Sequence, residues 1–391
     1  MMNLFSDEVR RNPYPAYEQL RGRSPVLHEP HSDLWMLFDY ESVKRALQDH
    51  EAFSSVVAPP SAMTSQWLVF MDPPRHTKLR ALIMRAFTPR AVASLEPRIV
   101  ALSHELLDRT RSRGEMELAE DFSVPLPLRV IAEMLGVPLA DQPRFKRWSD
   151  VMMALGYAVA GSEEAALVHR EFAEVTEEMR AYVRDLAAQR RAAPRDDLLT
   201  RLVEAEVDGE RLTGDELLGF VQLLLSAGHE TTTNLINNAL LCFLEHPAQL
   251  ARLRAEPGLL PSAIEEVLRY RSPVQAMFRV TRAEVSLHGQ VIPAGKMVLA
   301  MIGSANRDPR KFQEPDRFDI TRDPNPHIAF GHGIHFCIGA PLSRLEARVG
   351  LSVLLERMRD FSLASDAPWE PRRAIHVHGP TRLPIRFTPG T

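Results

Sequence analysis

The sequence predicts a mainly α fold with a minor β region, and three observations carry that prediction. From Pro74 to about Glu256 nearly every segment has helical periodicity. One run within it, Thr213 to His246, is apolar around much of its circumference, whereas Met277 to Leu299 alternates in the manner of strands. A chain of 391 residues could hold two average domains, but one large domain around a buried cofactor is also compatible. The single-domain organisation is expected here over 1–391, with β-rich parts near 20–40 and 275–300 and helical parts near 74–256 and 340–358.

The elements follow in order. A short helix from Tyr14 to Arg21 precedes strand-like pieces at Pro25 to His28 and Leu34 to Leu37, then a helix from Tyr40 to Gln48. The next stretch, Phe53 to Pro74, is irregular and carries Pro59, Pro60, Pro73 and Pro74 among apolar side chains. A loop of that length in a compact protein is usually functional, which makes it a candidate substrate loop. Breaks in the helical region are expected at Pro89, Pro125 to Pro127, Pro138, Gly156 to Gly161, Pro194 and Gly209. The clearest helix opens on the capping-box spacing of Thr213 and Glu216 and stops before Pro247. Its stripe of Leu217, Val221, Leu224, Gly228, Leu235, Ala239 and Cys242 suits a helix that crosses the molecular centre. Gly289 and Pro293-Ala294-Gly295 divide the alternating region into a small antiparallel sheet. A loop-rich stretch from Asn306 to Ile334 leads to Cys337 and a last helix, roughly Ala340 to Met358.

Composition excludes several classes. A hydrophobic content of 45% with 25% charged residues is that of a folded globular chain, not a disordered or fibrous one. Lys plus Arg is 47 against 51 for Asp plus Glu, so no global basic field points to nucleic acid or an anionic membrane. No run reaches the roughly 18 apolar residues that span a bilayer, and the start, MMNLFSDEVRRNPYPAY, has no continuous apolar stretch. A cytoplasmic protein is expected. Cys242 and Cys337 are the only cysteines and have unlike surroundings, which argues against a disulfide framework.

Chemistry concentrates in the segment FGHGIHFCIG, from Phe330 to Gly339. Glycines flank a cysteine that immediately precedes a helix start marked by Pro341. The positive helix terminus favours the thiolate, and glycines admit a bulky planar group close to the backbone. A thiolate held in this way is a good iron ligand, although a lone cysteine is more often a small buried apolar residue.

The longer run FGHGIHFCIGAPLSRLEAR resembles the heme-binding signature of the cytochrome P-450 family, with Phe330, Gly333, Cys337 and Gly339 in matching positions. AGHETT in the long helix, an ExxR made by Glu266 and Arg269, and DPPRHTKLR near the start of the helical region resemble further family motifs in the same order. The resemblance implies a triangular-prism fold that holds heme b (iron protoporphyrin IX) between the long central helix and the cysteine-bearing helix. It makes Cys337 the axial metal ligand and adds Ala227, Gly228, Phe330, Gly331 and Gly339 to the heme surroundings.

The other motifs have physical readings of their own. His76 and Arg80 are four apart on one helical face, suited to two carboxylates such as heme propionates, or else part of a solvated basic face. The resemblance adds Arg279 and His335 as propionate partners. Glu266 and Arg269 are one turn apart; in the family the pair braces the cysteine loop with a cation from the preceding loop, for which Arg317 is expected. Gly228 and Thr231 are poor helix formers placed mid-helix, so Thr231 could bend the helix and make room for O₂ while Glu230 relays protons for O–O cleavage; the alternative is a bent core helix with a buried hydroxyl. His229-Glu230 is half of a zinc HExxH site that lacks its second histidine. Together these imply a monooxygenase acting on a lipophilic organic substrate, with O₂ and with electrons from a separate ferredoxin and ferredoxin reductase, since no flavin or nicotinamide fingerprint is present. Lys78 and Arg85, with Arg344 or Arg348, are expected to face outward as a basic docking patch. By resemblance the substrate is lined by the Phe53 to Phe70 loop, the Val151 to Tyr157 region, Leu224, Ala227, Gln275 to Phe278 and Ile375 to Val377. A peroxide-driven peroxygenase and a non-enzymatic heme sensor are the alternatives, and neither needs the Glu230–Thr231 pair.

Overall fold

The structure, a computed structural model, describes residues 6–59, 61–110, 113–157 and 163–390. The chain forms two compact units, one comprising Met1–Val57, Glu96–Leu126 and Thr231–Thr391, the other Ala58–Leu95 and Pro127–Glu230. Helices dominate both, as the periodicity predicts.

The first unit holds a five-stranded sheet in the order Val26–Glu29, Leu34–Leu37, Met297–Ala300, Met277–Thr281, Phe53–Ser54. Strands do form within the alternating region, but the expected small antiparallel sheet is larger and mixed: Met297–Ala300 runs antiparallel to Met277–Thr281 and parallel to Leu34–Leu37. A two-stranded ribbon is marginal in water, and recruiting the N-terminal strands lets both faces be buried. Alternate residues accordingly enter different cores: Leu37, Val298 and Ala300 join one cluster, Met36 and Leu299 another. Between these strands, Val285–Leu287 and Gln290–Ile292 form a hairpin whose turn residues, His288 and Gly289, have φ of 49° and 75°. The Tyr40–Gln48 helix is capped by Asp39, whose carboxylate accepts from the Ser42 N–H, and it buries Val43, Ala46 and Leu47. The Ala340–Arg357 helix places Gly350 where an added Cβ would lie 3.1 Å from Leu126 Cδ2.

The second unit contains the helices Arg75–Ala86, Gln142–Tyr157, Glu163–Ala192 and Leu198–Glu204. The long central helix, Gly214–Glu245, gives its residues through Glu230 to this unit and those from Thr231 onward to the first. Its capping box forms as expected, with Glu216 N–H donating to Thr213 Oγ1 at 3.3 Å and Thr213 N–H to Glu216 Oε2 at 2.9 Å. Pro125 starts the Pro125–Met134 helix, because a proline nitrogen needs no partner in a first turn. Gly209 does more than break a helix: Asp208 and Gly209, both at positive φ, turn a hairpin of Glu206–Val207 and Glu210–Arg211. Most of the break expected over 156–161 lies outside the described residues. Among the described residues no helix is long and apolar enough to cross a membrane.

Candidate active site

The cysteine loop is shaped by glycine. Gly331 and Gly333 adopt φ of 76° and 71°, and a Cβ on Gly333 would meet Gln48 Cα at 2.9 Å, so the loop rests directly on the Tyr40–Gln48 helix. Cys337 N–H donates to the Phe330 carbonyl at 2.9 Å, closing the loop, and Gly339 caps the Ala340–Arg357 helix. The Cys337 thiol is exposed just before that helix's N-terminus, whose positive dipole end favours a thiolate. Phe336 beside it is 43% exposed. An exposed thiol with an aromatic neighbour, on a loop lacking side chains at Gly331, Gly333 and Gly339, fits a large flat cofactor ligated by sulfur. Cys242 differs: burial pushes its thiol up to about 12, which leaves it an inert core residue.

The loop before the cysteine is braced from the Leu260–Tyr270 helix. Glu266 and Arg269 are fully buried and doubly bonded, Arg269 Nε and Nη2 donating to the two carboxylate oxygens at 2.8 Å each. Arg269 also donates to the carbonyls of Asn306, Pro315 and Arg317. The loop cation expected at Arg317 is instead Arg322, whose Nε donates to Glu266 Oε1 at 3.2 Å with its side chain 12% exposed. Arg317 is 57% exposed and pairs with Glu314, because the chain there spends its carbonyl, not its side chain, on the brace.

Along the central helix, Ala227 is exposed and Gly228, Glu230 and Thr231 are half-buried, while Leu225, His229 and the residues from Thr232 to Phe243 are buried. The AGHET motif is therefore less covered than the turns of the helix that follow it. A Cβ on Gly228 would meet Ile131 Cδ1 at 3.0 Å, so glycine here allows close packing. His229 lies 3.1 Å from Ser149 Oγ. Glu230 accepts a hydrogen bond from the Tyr157 hydroxyl. Thr232 Oγ1 donates to Ser343 Oγ at 3.1 Å, and Glu346, one turn further along the cysteine helix, is buried; burial pushes its carboxyl up to about 8, a contact with Thr232 opposing this. Sequence reasoning missed Tyr157 as a partner of Glu230, since no fixed spacing links them. Glu346 was detectable: it shares a helical face with Leu342, Leu345 and Val349, an acid among residues that turn inward.

His76 is 1% exposed and Arg80 is half-buried on the Arg75–Ala86 helix. Arg279, 2% exposed on Met277–Thr281, donates to the Phe278 carbonyl at 2.7 Å, and His335 ends the Gly333–His335 turn. The unit of Thr231 also holds Arg279, Phe330, Gly331, His335, Cys337 and Gly339, and the other holds His76, Arg80, Ala227, Gly228 and Glu230. Arginine and histidine side chains of this kind suit the carboxylates of a cofactor. Lys78 and Arg85 are exposed, as expected, and Arg344 and Arg348 are half-buried; each has a partner nearby. Lys78 bonds Glu210 at 2.7 Å, Arg85 donates to the Glu206 carbonyl, Arg344 pairs with Glu265 and Arg348 with Glu96. Carboxylates thus pair with Lys78, Arg344 and Arg348, and a backbone carbonyl of the 206–211 hairpin with Arg85.

The family model Cytochrome P450 matches residues 2–372. Cyclomarin C epoxidase of Salinispora arenicola is 41% identical over 390 residues, 98% of this chain and 98% of the relative. Vitamin D(3) 25-hydroxylase of Pseudonocardia autotrophica is 39% identical over 400 residues, 99% of this chain and 96% of the relative. The crystal structure of CYP109E1 from Bacillus megaterium in complex with corticosterone superposes with a TM-score of 0.90 at 40% identity, covering 97% of this chain and 100% of that one.

Proposed function

The chain belongs to the cytochrome P450 family and is a heme-binding monooxygenase, and from that premise we propose that it inserts one atom of O₂ into a C–H or C=C bond of a medium-to-large lipophilic substrate, using electrons from a separate ferredoxin and its reductase. The observation that carries the proposal is Cys337, an exposed thiol at the mouth of a helix inside a glycine-shaped loop. Heme b supplies the redox chemistry: bound through a thiolate, it activates O₂.

The remaining roles belong to this chain's side chains. Cys337 ligates the iron as thiolate, with Phe330, Gly331 and Gly339 about it and Ala227 and Gly228 leaving room on the central helix. His76, Arg80, Arg279 and His335 bind the propionates. The Thr231 hydroxyl holds a proton-carrying water, and the Glu230 carboxyl, hydrogen-bonded by Tyr157, passes protons toward it. The buried Glu266–Arg269–Arg322 network acts structurally, by fixing the segment that leads into the cysteine loop. A lipophilic substrate agrees with the corticosterone bound by one neighbour and with the names of the epoxidase and hydroxylase relatives.

The test is turnover under isotopically labelled dioxygen with ferredoxin, reductase and NAD(P)H, using a substrate found by spin-state titration. One labelled oxygen in the product is expected. Label arriving from water, or turnover with hydrogen peroxide but never with the redox chain, would contradict the proposal.

A further inference from the structure

The loop expected to face substrate is held from behind by one side chain. Its residues 61–66 are exposed or half-buried, Met63 being 39% exposed, whereas Trp67 and Leu68 are buried. The backbone over 61–71 is a succession of short-range turns, with Ala62 N–H bonding to Pro59 O, Ser65 to Ala62, Trp67 to Thr64 and Phe70 to Trp67. Such turns stiffen a loop locally without fixing it to anything else. The fixing is done at Trp67. Its indole N–H donates to Gln222 Oε1 at 3.1 Å, and Gln222 Nε2 donates in turn to Thr176 Oγ1 at 3.1 Å, both partners being buried. The indole packs edge-on against Phe172 and parallel to Phe70. Phe172 and Thr176 are one turn apart on the Glu163–Ala192 helix, so they present a single face to the loop. Gly219 of the central helix, one turn before Gln222, lets the chain approach: a Cβ there would lie 2.5 Å from the Gln66 carbonyl oxygen and 2.8 Å from Gln66 Cβ.

We propose that Trp67 is a latch that positions the 61–66 loop against the central helix and the Glu163–Ala192 helix, and that releasing the indole N–H from Gln222 sets how readily the loop opens to admit a bulky ligand. The inference rests on the assignment of this loop to the substrate path. The chemistry favours a switch at this bond. Breaking it strands the Gln222 amide oxygen in a buried site, so the closed state is kept by an unpaired-group penalty that vanishes only when the loop lifts and water enters. Once the loop lifts, the turns that protect the Ala62 and Ser65 amides lose their backing and open more readily to water, so these amides report the release.

The experiment measures amide hydrogen exchange of residues 61–66 in the purified holoprotein, for the native chain and for Trp67→Phe, Gln222→Leu and Gly219→Ala. Trp67→Phe keeps an aromatic ring but loses the donor, and Gly219→Ala displaces Gln66 without touching the hydrogen bond. Exchange of 61–66 should quicken roughly tenfold in Trp67→Phe, with the 285–292 hairpin as an unchanged internal control. Native-like exchange over 61–66 in both Trp67→Phe and Gly219→Ala would overturn the latch. Stopped-flow association of imidazole and of a bulky aryl-imidazole then separates this from the substrate-path reading. Faster entry of the bulky ligand alone supports both, whereas faster exchange with both association rates unchanged keeps the latch and overturns only the assignment of the loop to the substrate path.

Discussion

Replacing Arg322 and Arg317 in turn tests how the segment leading into the cysteine loop is braced. Glu266 is fully buried and takes five hydrogen bonds, from Arg269 Nε and Nη2, Asp319 N–H, Arg322 Nε and Asn325 Nδ2. Removing the carboxylate strands the Arg269 guanidinium, so Glu266→Ala should cost about 3–5 kcal/mol. Arg322→Ala removes one bond to that carboxylate and the bonds to the carbonyls of Gln313, Glu314 and Arg317. A hydrogen bond to a charged group contributes about 1.5–3 kcal/mol, and Arg269 still neutralises Glu266, so a loss of about 2–3 kcal/mol is expected. Arg317→Ala deletes surface pairs with Glu314 and Asp319 and keeps the carbonyl that Arg269 uses; it should cost under about 1 kcal/mol. Urea unfolding of the three holoprotein variants, compared at equal slope, measures all three values. If Arg317→Ala cost as much as Arg322→Ala, the assignment of the bracing cation to Arg322 would be wrong.

Further expectations concern protons and backbone. Glu346 is neutral when folded, its carboxyl raised to about 8 by burial, so the folded state binds the extra proton and stability falls as pH rises from about 4.5 to about 8; Glu346→Gln should flatten that dependence, and an unaltered pH profile of the unfolding midpoint would contradict it. Thr231→Ala should leave heme content intact while product per NAD(P)H falls roughly tenfold or more and peroxide appears, whereas unchanged coupling would move the relay to another group. Gly136, at φ 73°, would place a Cβ 2.1 Å from Asp197 Oδ2, on the buried Arg190–Asp197 pair; Gly136→Ala should therefore cost several kcal/mol, roughly 3 or more, in thermal or urea unfolding, and a loss under about 1 kcal/mol would show that the pair can yield.

Patterns that act locally were legible before any coordinates. The Thr213–Glu216 capping box, the Tyr40–Gln48 helix and the Leu34–Leu37 strand depend on neighbours in sequence, and they appear where the spacing puts them. Asp208-Gly209 is a turn dipeptide, and it makes a hairpin where Gly209 alone predicts a helix break. Pairings between distant segments had no such signal: nothing in the order of residues says that Met297–Ala300 lies parallel to Leu34–Leu37. The candidate site divides in the same way. Cys337 and its glycines form a contiguous run, so their chemistry reads directly from the sequence. The choice between Arg317 and Arg322 depends on which way a loop turns each guanidinium, and the partners of Lys78 and Arg85 depend on where a hairpin from 206–211 folds back. Tyr157 and Trp67 acquire their roles only through contacts with residues far away in the chain.

The most direct measurement is the absorption spectrum of the dithionite-reduced carbon monoxide complex, recorded for the native protein and for Cys337→Ala and Cys242→Ala. The native protein and Cys242→Ala should both show the strongly red-shifted Soret band of a thiolate-ligated heme, and Cys337→Ala should lose it. A band that survives in Cys337→Ala, or that disappears in Cys242→Ala with heme still bound, would contradict Cys337 as the iron ligand.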